Sequence, residues 1–174
     1  GLEYTLTDVA ENGIPLNVKL DEFWPLDHKD YDWQNHNEFF GIRHDFEFKI
    51  GDYVGDMWYE FSGDDDLWVC LDGNVILDLG GIHQIVQGKV DIWEVLTGYK
   101  NSTYQQRKDY LEEATNRIKN GNVVHTITVL YMERGGSKSN CNMKFVMPFL
   151  IPTEPDVDIA PRANVELLKV DATD

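Results

Sequence analysis

The feature that most constrains this chain is a series of short segments in which apolar and polar residues alternate. His44–Ile50 sets Phe46, Phe48 and Ile50 on one side, and Met57–Phe61 does the same with Met57, Tyr59 and Phe61. Leu67–Leu71 and Val75–Leu79 flank Asp72, Gly73 and Asn74, and an Asp-Gly pair between two such runs is a strong hairpin signal. Val123–Tyr131 is a long β-branched run with His125, Ile127, Val129 and Tyr131 on one side, and Met143–Met147 closes the set. A period of two belongs to a strand with one buried face. Many such strands separated by turns predict an all-β protein, an antiparallel sandwich.

One segment breaks the pattern. Tyr104, Leu111, Ala114 and Ile118 recur at helical spacing within Thr103–Asn120, and Gly121 follows as a stop. This predicts one α-helix inserted between strands, with a shorter helical turn over Asp91–Leu96. Residues 1–37 are irregular, with short apolar alternations from Leu6 to Leu20 and then a long loop bearing Trp24, Pro25 and Trp33. Asn35, His36 and Asn37 read as a solvated turn. Pro152, Pro155 and Pro161 mark residues 151–163 as an extended linker. Asn164–Asp171 alternates briefly and reads as the first strand of a further domain. The expected organisation is therefore a sandwich over 1–150, a linker over 151–163 and the opening of a second domain over 164–174.

Charge narrows the partners. The 174 residues carry 31 acids against 15 bases, a formal net charge of −16. Duplex nucleic acid and anionic membranes both call for a basic face, so neither is expected as a partner. No apolar run is long enough to predict a transmembrane helix, and no signal peptide or sorting tail is expected. The two cysteines, Cys70 and Cys141, lack zinc-knuckle or redox spacing. A pair of buried thiols and a cross-strand disulfide both remain open.

The stretch richest in chemistry is Gly63 to Val69, reading Gly-Asp-Asp-Asp-Leu-Trp-Val. Asp64, Asp65 and Asp66 lie between two strands. Carboxylates this close repel, and a bound cation removes the conflict, with hard oxygen donors favouring Ca2+. A solvated acidic turn is the plainer alternative, and EF-hand spacing is absent. Asp78 to His83 reads Asp-Leu-Gly-Gly-Ile-His, without the spacing of a dinucleotide loop. His83 is either a structural histidine or a ligand-contacting one. Glu133 to Asn140 is a polar loop whose Glu133, Ser139 and Asn140 offer oxygens to a cation or to a sugar hydroxyl. No serine-histidine-aspartate elbow and no His-Glu-x-x-His run is visible, so a binding module is expected rather than an enzyme.

In order along the chain, these pieces resemble the fibro-slime domain. That family's hallmark is Gly-Asp-Asp-Asp-x-Trp-Val, then Asp-Gly, Asp-Leu-Gly-Gly-x-His, Glu-Arg and Ser-Asn. The matching residues are Gly63 to Val69, Asp72 and Gly73, Asp78 to His83, Glu133 and Arg134, and Ser139 and Asn140. The resemblance covers roughly residues 37 to 150 and departs from the family pattern at Cys70 and at the helical insertion. It implies a sandwich of the protective-antigen lectin type. Its acidic pair, Asp64 and Asp65, would be joined by a cis peptide and would hold calcium, with Asp66 and Asn140 as further ligands. His83, Glu133, Ser139 and Asn140 would line the ligand site, and one of Trp24, Trp33, Trp58 and Trp93 would supply a stacking face. Val165 to Asp171 is similar to the first strand of Cna B-type pilin domains. The implied setting is a Gram-positive cell surface or pilus. There the module would bind a glycan or a neighbouring cell's surface through calcium, or would serve as a structural module in which calcium only stabilises.

Overall fold

The computed structural model describes residues 2–5, 23–24, 38–117, 123–135, 138–151 and 164–169. Their strands are β1 (Leu2–Thr5), β2 (Phe39–Lys49), β3 (Trp58–Asp64), β4 (Asp66–Leu71), β5 (Asn74–Leu79) and β6 (Val86–Asp91). After two helices, α1 (Ile92–Thr97) and α2 (Tyr104–Arg117), come β7 (Val124–Arg134), β8 (Asn140–Met147), β9 (Phe149–Ile151) and β10 (Asn164–Lys169). One sheet has the order β1-β8-β3-β6. The other runs β10-β2-β7-β4-β5, with β9 beside β2. Every pairing is antiparallel. The fold is the all-β sandwich expected from the alternation. Among the described residues, no helix is long and apolar enough to cross a membrane.

The alternation sets the core. Phe40, Ile42, Phe46 and Phe48 of β2 and Ile127, Val129 and Tyr131 of β7 are buried on one sheet. Tyr59 and Phe61 of β3 and Met143, Phe145 and Met147 of β8 are buried on the other. The layers meet through rings, Phe145 stacking on Phe46 at 4.7 Å and Phe61 reaching Tyr131 at 6.2 Å, while Phe145 also stacks on its cross-strand neighbour Tyr59 at 5.7 Å. Burying each such side chain contributes about 1.5–3 kcal/mol. At the predicted hairpin, Asp72 and Gly73 take φ of 50° and 80°, the left-handed pair that a two-residue turn requires.

The helical insertion holds two helices. Asp91 caps α1 by accepting from the Trp93 and Glu94 N–H groups, and Gly98 closes it in the left-handed conformation. Thr103 and Gln106 cap α2 reciprocally at 2.8 and 3.3 Å. The apolar face expected of α2 is narrower than its spacing suggests: Leu111 is buried, whereas Tyr104 is 62% exposed. Arg107 anchors the helix instead, donating to the carbonyls of Val54 and Gly55 at 2.9 and 3.1 Å. Ile118 and Gly121 lie outside the described residues, as do the short alternations from Leu6 to Leu20, Trp33, the Asn35 to Asn37 turn and the linker prolines.

Strands β1 and β6 add to those read from the alternation. The strand β6 went unpredicted because Gly88 sits at its centre, and glycine weakens a strand. A Cβ there would press on the ends of Leu79 and Leu77, so the small residue lets β5 close over β6. The segment read as opening a further domain, β10, pairs with β2 from Asn164 against Asp45 to Lys169 against Phe40. It extends this sheet. The disulfide alternative is also resolved, since Cys70 and Cys141 are free. Cys70 faces outward between the inward Val69 and Leu71 of β4, while Cys141 is buried on the other sheet.

His44 faces the core of β2, 7% exposed, and among the described residues its Nε2 finds no hydrogen-bond partner. Burial lowers its pKa below 6.5, partly opposed by Asp45. The ring stays neutral when folded and takes a proton when unfolded, so stability is full above the unfolded value and falls as pH drops through it. His44→Phe is expected to gain about 1 kcal/mol by removing the unsatisfied nitrogen and to lessen the loss of stability between pH 7 and pH 5. Urea titrations at both pH values test this, and an unaltered pH dependence contradicts it.

Candidate functional site

The acidic triplet lies where the chain leaves one sheet for the other. Asp64 ends β3 and Asp66 begins β4, so Asp65 is the crossing residue. A second crossing, from β7 to β8, runs from Arg134 to Asn140. The pairing of Asp64 with Asn140 and of Asp66 with Met132 brings both crossings to one end of the sandwich. The Asp64–Asp65 peptide is cis, as expected for this pair.

Each acid has a distinct environment. Asp64 accepts from the Asn140 N–H at 2.7 Å and from the Asn140 side-chain amide at 3.2 Å. Asp65 is buried and accepts from the Arg134 N–H at 3.0 Å. Asp66 is held on both oxygens by the Arg134 guanidinium, at 2.5 and 3.0 Å, and also accepts from the Gly81 N–H. The third aspartate is therefore a strut tying the Gly80-Gly81 loop to β7. Of the three aspartates expected as metal ligands, Asp66 is the one that carries this ion pair.

Glu133 is 2% exposed because period-two alternation on β7 turns it to the same inner face as Val129 and Tyr131. Burial pushes its pKa up to about 7; the negative charges of Asp65 and Asp64 add to the rise, while hydrogen bonds from Ser139 and Tyr131 oppose it. Ser139 is fully buried beside it, and Asn140 is buried too. The Tyr131 hydroxyl lies among them, donating to the Asp64 main-chain carbonyl at 2.6 Å, with Glu133 Oε2 at 3.2 Å and Ser139 Oγ at 3.4 Å. Gly63 permits this closeness, since a Cβ there would overlap the Asn140 carbonyl.

The structure brings together Asp64, Asp65, Glu133, Ser139 and Asn140 and sets His83 apart. Both ring nitrogens of His83 face carbonyls of its own loop, Leu79 at 2.9 Å and Gln84 at 3.0 Å, so it braces that loop. Arg134 and Tyr131 were not singled out as site residues from sequence. Alternation held the clue for Tyr131, because it places that residue on the inner face two positions before Glu133. Of the four candidate stacking faces, Trp24 and Trp93 are buried, Trp58 carries the Lys89 ammonium 3.9 Å from its ring centre, and Trp33 lies outside the described residues. Among the described residues, no three His, Cys, Asp or Glu side chains gather into a ready metal-liganding cluster. The donors at the corner are nonetheless all oxygens, which suits a hard cation in type.

Two outcomes follow from these environments. Glu133 is held protonated in the fold up to a pH that ionises it in the unfolded chain. Its contribution is therefore full below the usual glutamate value and is lost as pH rises towards about 7. Glu133→Gln should flatten that decline and stabilise the protein above pH 7, read as melting temperature from pH 4 to 8 in chelator. Arg134→Met should cost about 2–4 kcal/mol by stranding the buried Asp66 carboxylate. Adding Asp66→Asn should recover much of the loss. Urea denaturation of both variants decides it, and equal stability of the single and double variants would refute the strut.

Comparison with known proteins redirects the lineage. The chain is 36% identical to protein psiG of Dictyostelium discoideum over 106 residues, 55% of this chain and 15% of that protein. It is 34% identical to psiH of the same organism over 103 residues, 53% of this chain and 14% of psiH. It is 35% identical to psiC over 71 residues, 35% of this chain and 13% of psiC. The chain thus spans about a seventh of the length of these curated relatives. No family model matches, and no solved structure matches. Similarity to proteins of a eukaryote overturns the resemblance to a bacterial fibro-slime adhesin. The Gram-positive surface or pilus setting falls with it, as do the calcium-dependent adhesive, lectin and structural pilin roles and the cell-wall location.

Proposed function

We propose that this chain is a non-catalytic β-sandwich module of a longer polypeptide that binds a hard divalent cation, of the calcium class, at its sheet-crossing end. One observation carries the reading: Asp64, Asp65, Glu133 and Asn140, from two separate crossings, converge with Glu133 buried beneath the aspartates. Three acids at one partly desolvated corner repel one another, and a divalent charge relieves that repulsion. Asp64, Asp65 and the Asn140 amide oxygen would hold the ion, which would supply positive charge to the corner. Asp66 stays with Arg134. The place of the matched stretch within much longer relatives supports a modular role.

Calorimetric titration with Ca2+ tests the reading, together with melting in Ca2+ and in chelator. Free cation at a hundredfold excess over Kd should stabilise the fold by about 2.7 kcal/mol. Asp65→Asn should remove the calcium response while melting normally in chelator. No heat of binding and identical melting in Ca2+ and chelator would sink the proposal.

A further inference from the structure

We propose that Tyr131 is a positioning residue for the acidic corner, its buried hydroxyl fixing the orientation of the Asp64 and Asp65 carboxylates by holding the carbonyl of Asp64. The inference rests on the cation reading above and deepens it. Tyr131 is fully buried on β7, and its ring is packed by Phe23, Phe40 and Phe61 at 6.0, 6.0 and 6.2 Å. Three aromatic contacts set where the hydroxyl lies. From one sheet it reaches the last residue of β3 on the other, donating to the Asp64 carbonyl at 2.6 Å.

A buried tyrosine hydroxyl needs a partner, and this one has a choice of Asp64, Glu133 and Ser139. A hydroxyl carries one proton, and the shortest contact is to Asp64. Asp64 is then held at three points, its carbonyl by Tyr131 and its two carboxylate oxygens by Asn140. The Asp64 carbonyl belongs to the peptide that leads into Asp65. Losing the tyrosine proton frees that unit to turn in search of a donor, and both carboxylates turn with it. Phenylalanine would preserve the packing and remove only the hydroxyl, so geometry and packing can be separated.

The experiment titrates Ca2+ into the whole chain by calorimetry and follows melting in chelator. Tyr131→Phe should bind Ca2+ at least about tenfold more weakly, the scale on which groups that orient metal ligands act. Val129→Ala, a truncation at the neighbouring inward position of β7, should melt lower yet keep the wild-type affinity. If Tyr131→Phe does not fold, 3-fluorotyrosine at position 131 serves instead. Its more acidic hydroxyl is a stronger donor and should tighten binding. Wild-type affinity in Tyr131→Phe, or affinity that merely follows melting temperature in both variants, overturns the positioning role and leaves the cation reading standing. No calcium response in the wild type overturns both.

Discussion

Two places where the chain passes between sheets are bonded to each other, and the rest of this end of the molecule depends on that. A sandwich must carry its chain from one layer to the other, and each passage leaves backbone groups outside any ladder. Here the β3–β4 passage is acidic and the β7–β8 passage supplies donors. Asn140 satisfies Asp64, the Arg134 N–H satisfies Asp65, and the Arg134 guanidinium closes on Asp66. The polar requirements of one crossing are met by the other.

That stitching divides the acids into two kinds. Asp66 is neutralised by a paired guanidinium and reaches Gly81, which couples the Gly80-Gly81 loop to β7. Asp64, Asp65 and Glu133 share one corner, and their mutual field contributes to the raised pKa of Glu133. A triplet that looks uniform in sequence is thus partly scaffold and partly an electrostatic site. The distinction matters for any account of binding, because a carboxylate already committed to arginine contributes little to a cation.

The comparisons separate two things that the sequence motifs had joined. Short acidic and glycine-rich pieces reflect local demands, such as a crossing, a tight turn or a strand passing close by, and such demands recur in unrelated settings. Similarity to psi proteins of Dictyostelium discoideum extends over 106 residues and carries information about lineage that the pieces do not. The pieces alone imply a bacterial setting, and the longer match replaces it.

Alternation alone made the sandwich legible, since a period of two in Phe46, Phe48 and Ile50 or in Ile127, Val129 and Tyr131 has one stable use, a strand with a buried face. The Asp72-Gly73 turn was legible for a similar reason: it answers to neighbours only a few positions away. What the sequence could not decide depends on residues far apart along the chain. The strand β6 hides behind Gly88, whose smallness makes sense only against Leu77 and Leu79. The edge strand β10 finds its partner more than a hundred residues back in β2. Asp66 and Arg134 lie 68 residues apart, and nothing local shows that one cancels the other's charge. Composition and pattern therefore determined the class of fold and the oxygen-rich character of its acidic end. Which acids are paired and which share a corner was decided by the meeting of two sheet crossings, because electrostatic fate depends on distance in space, which local pattern does not encode.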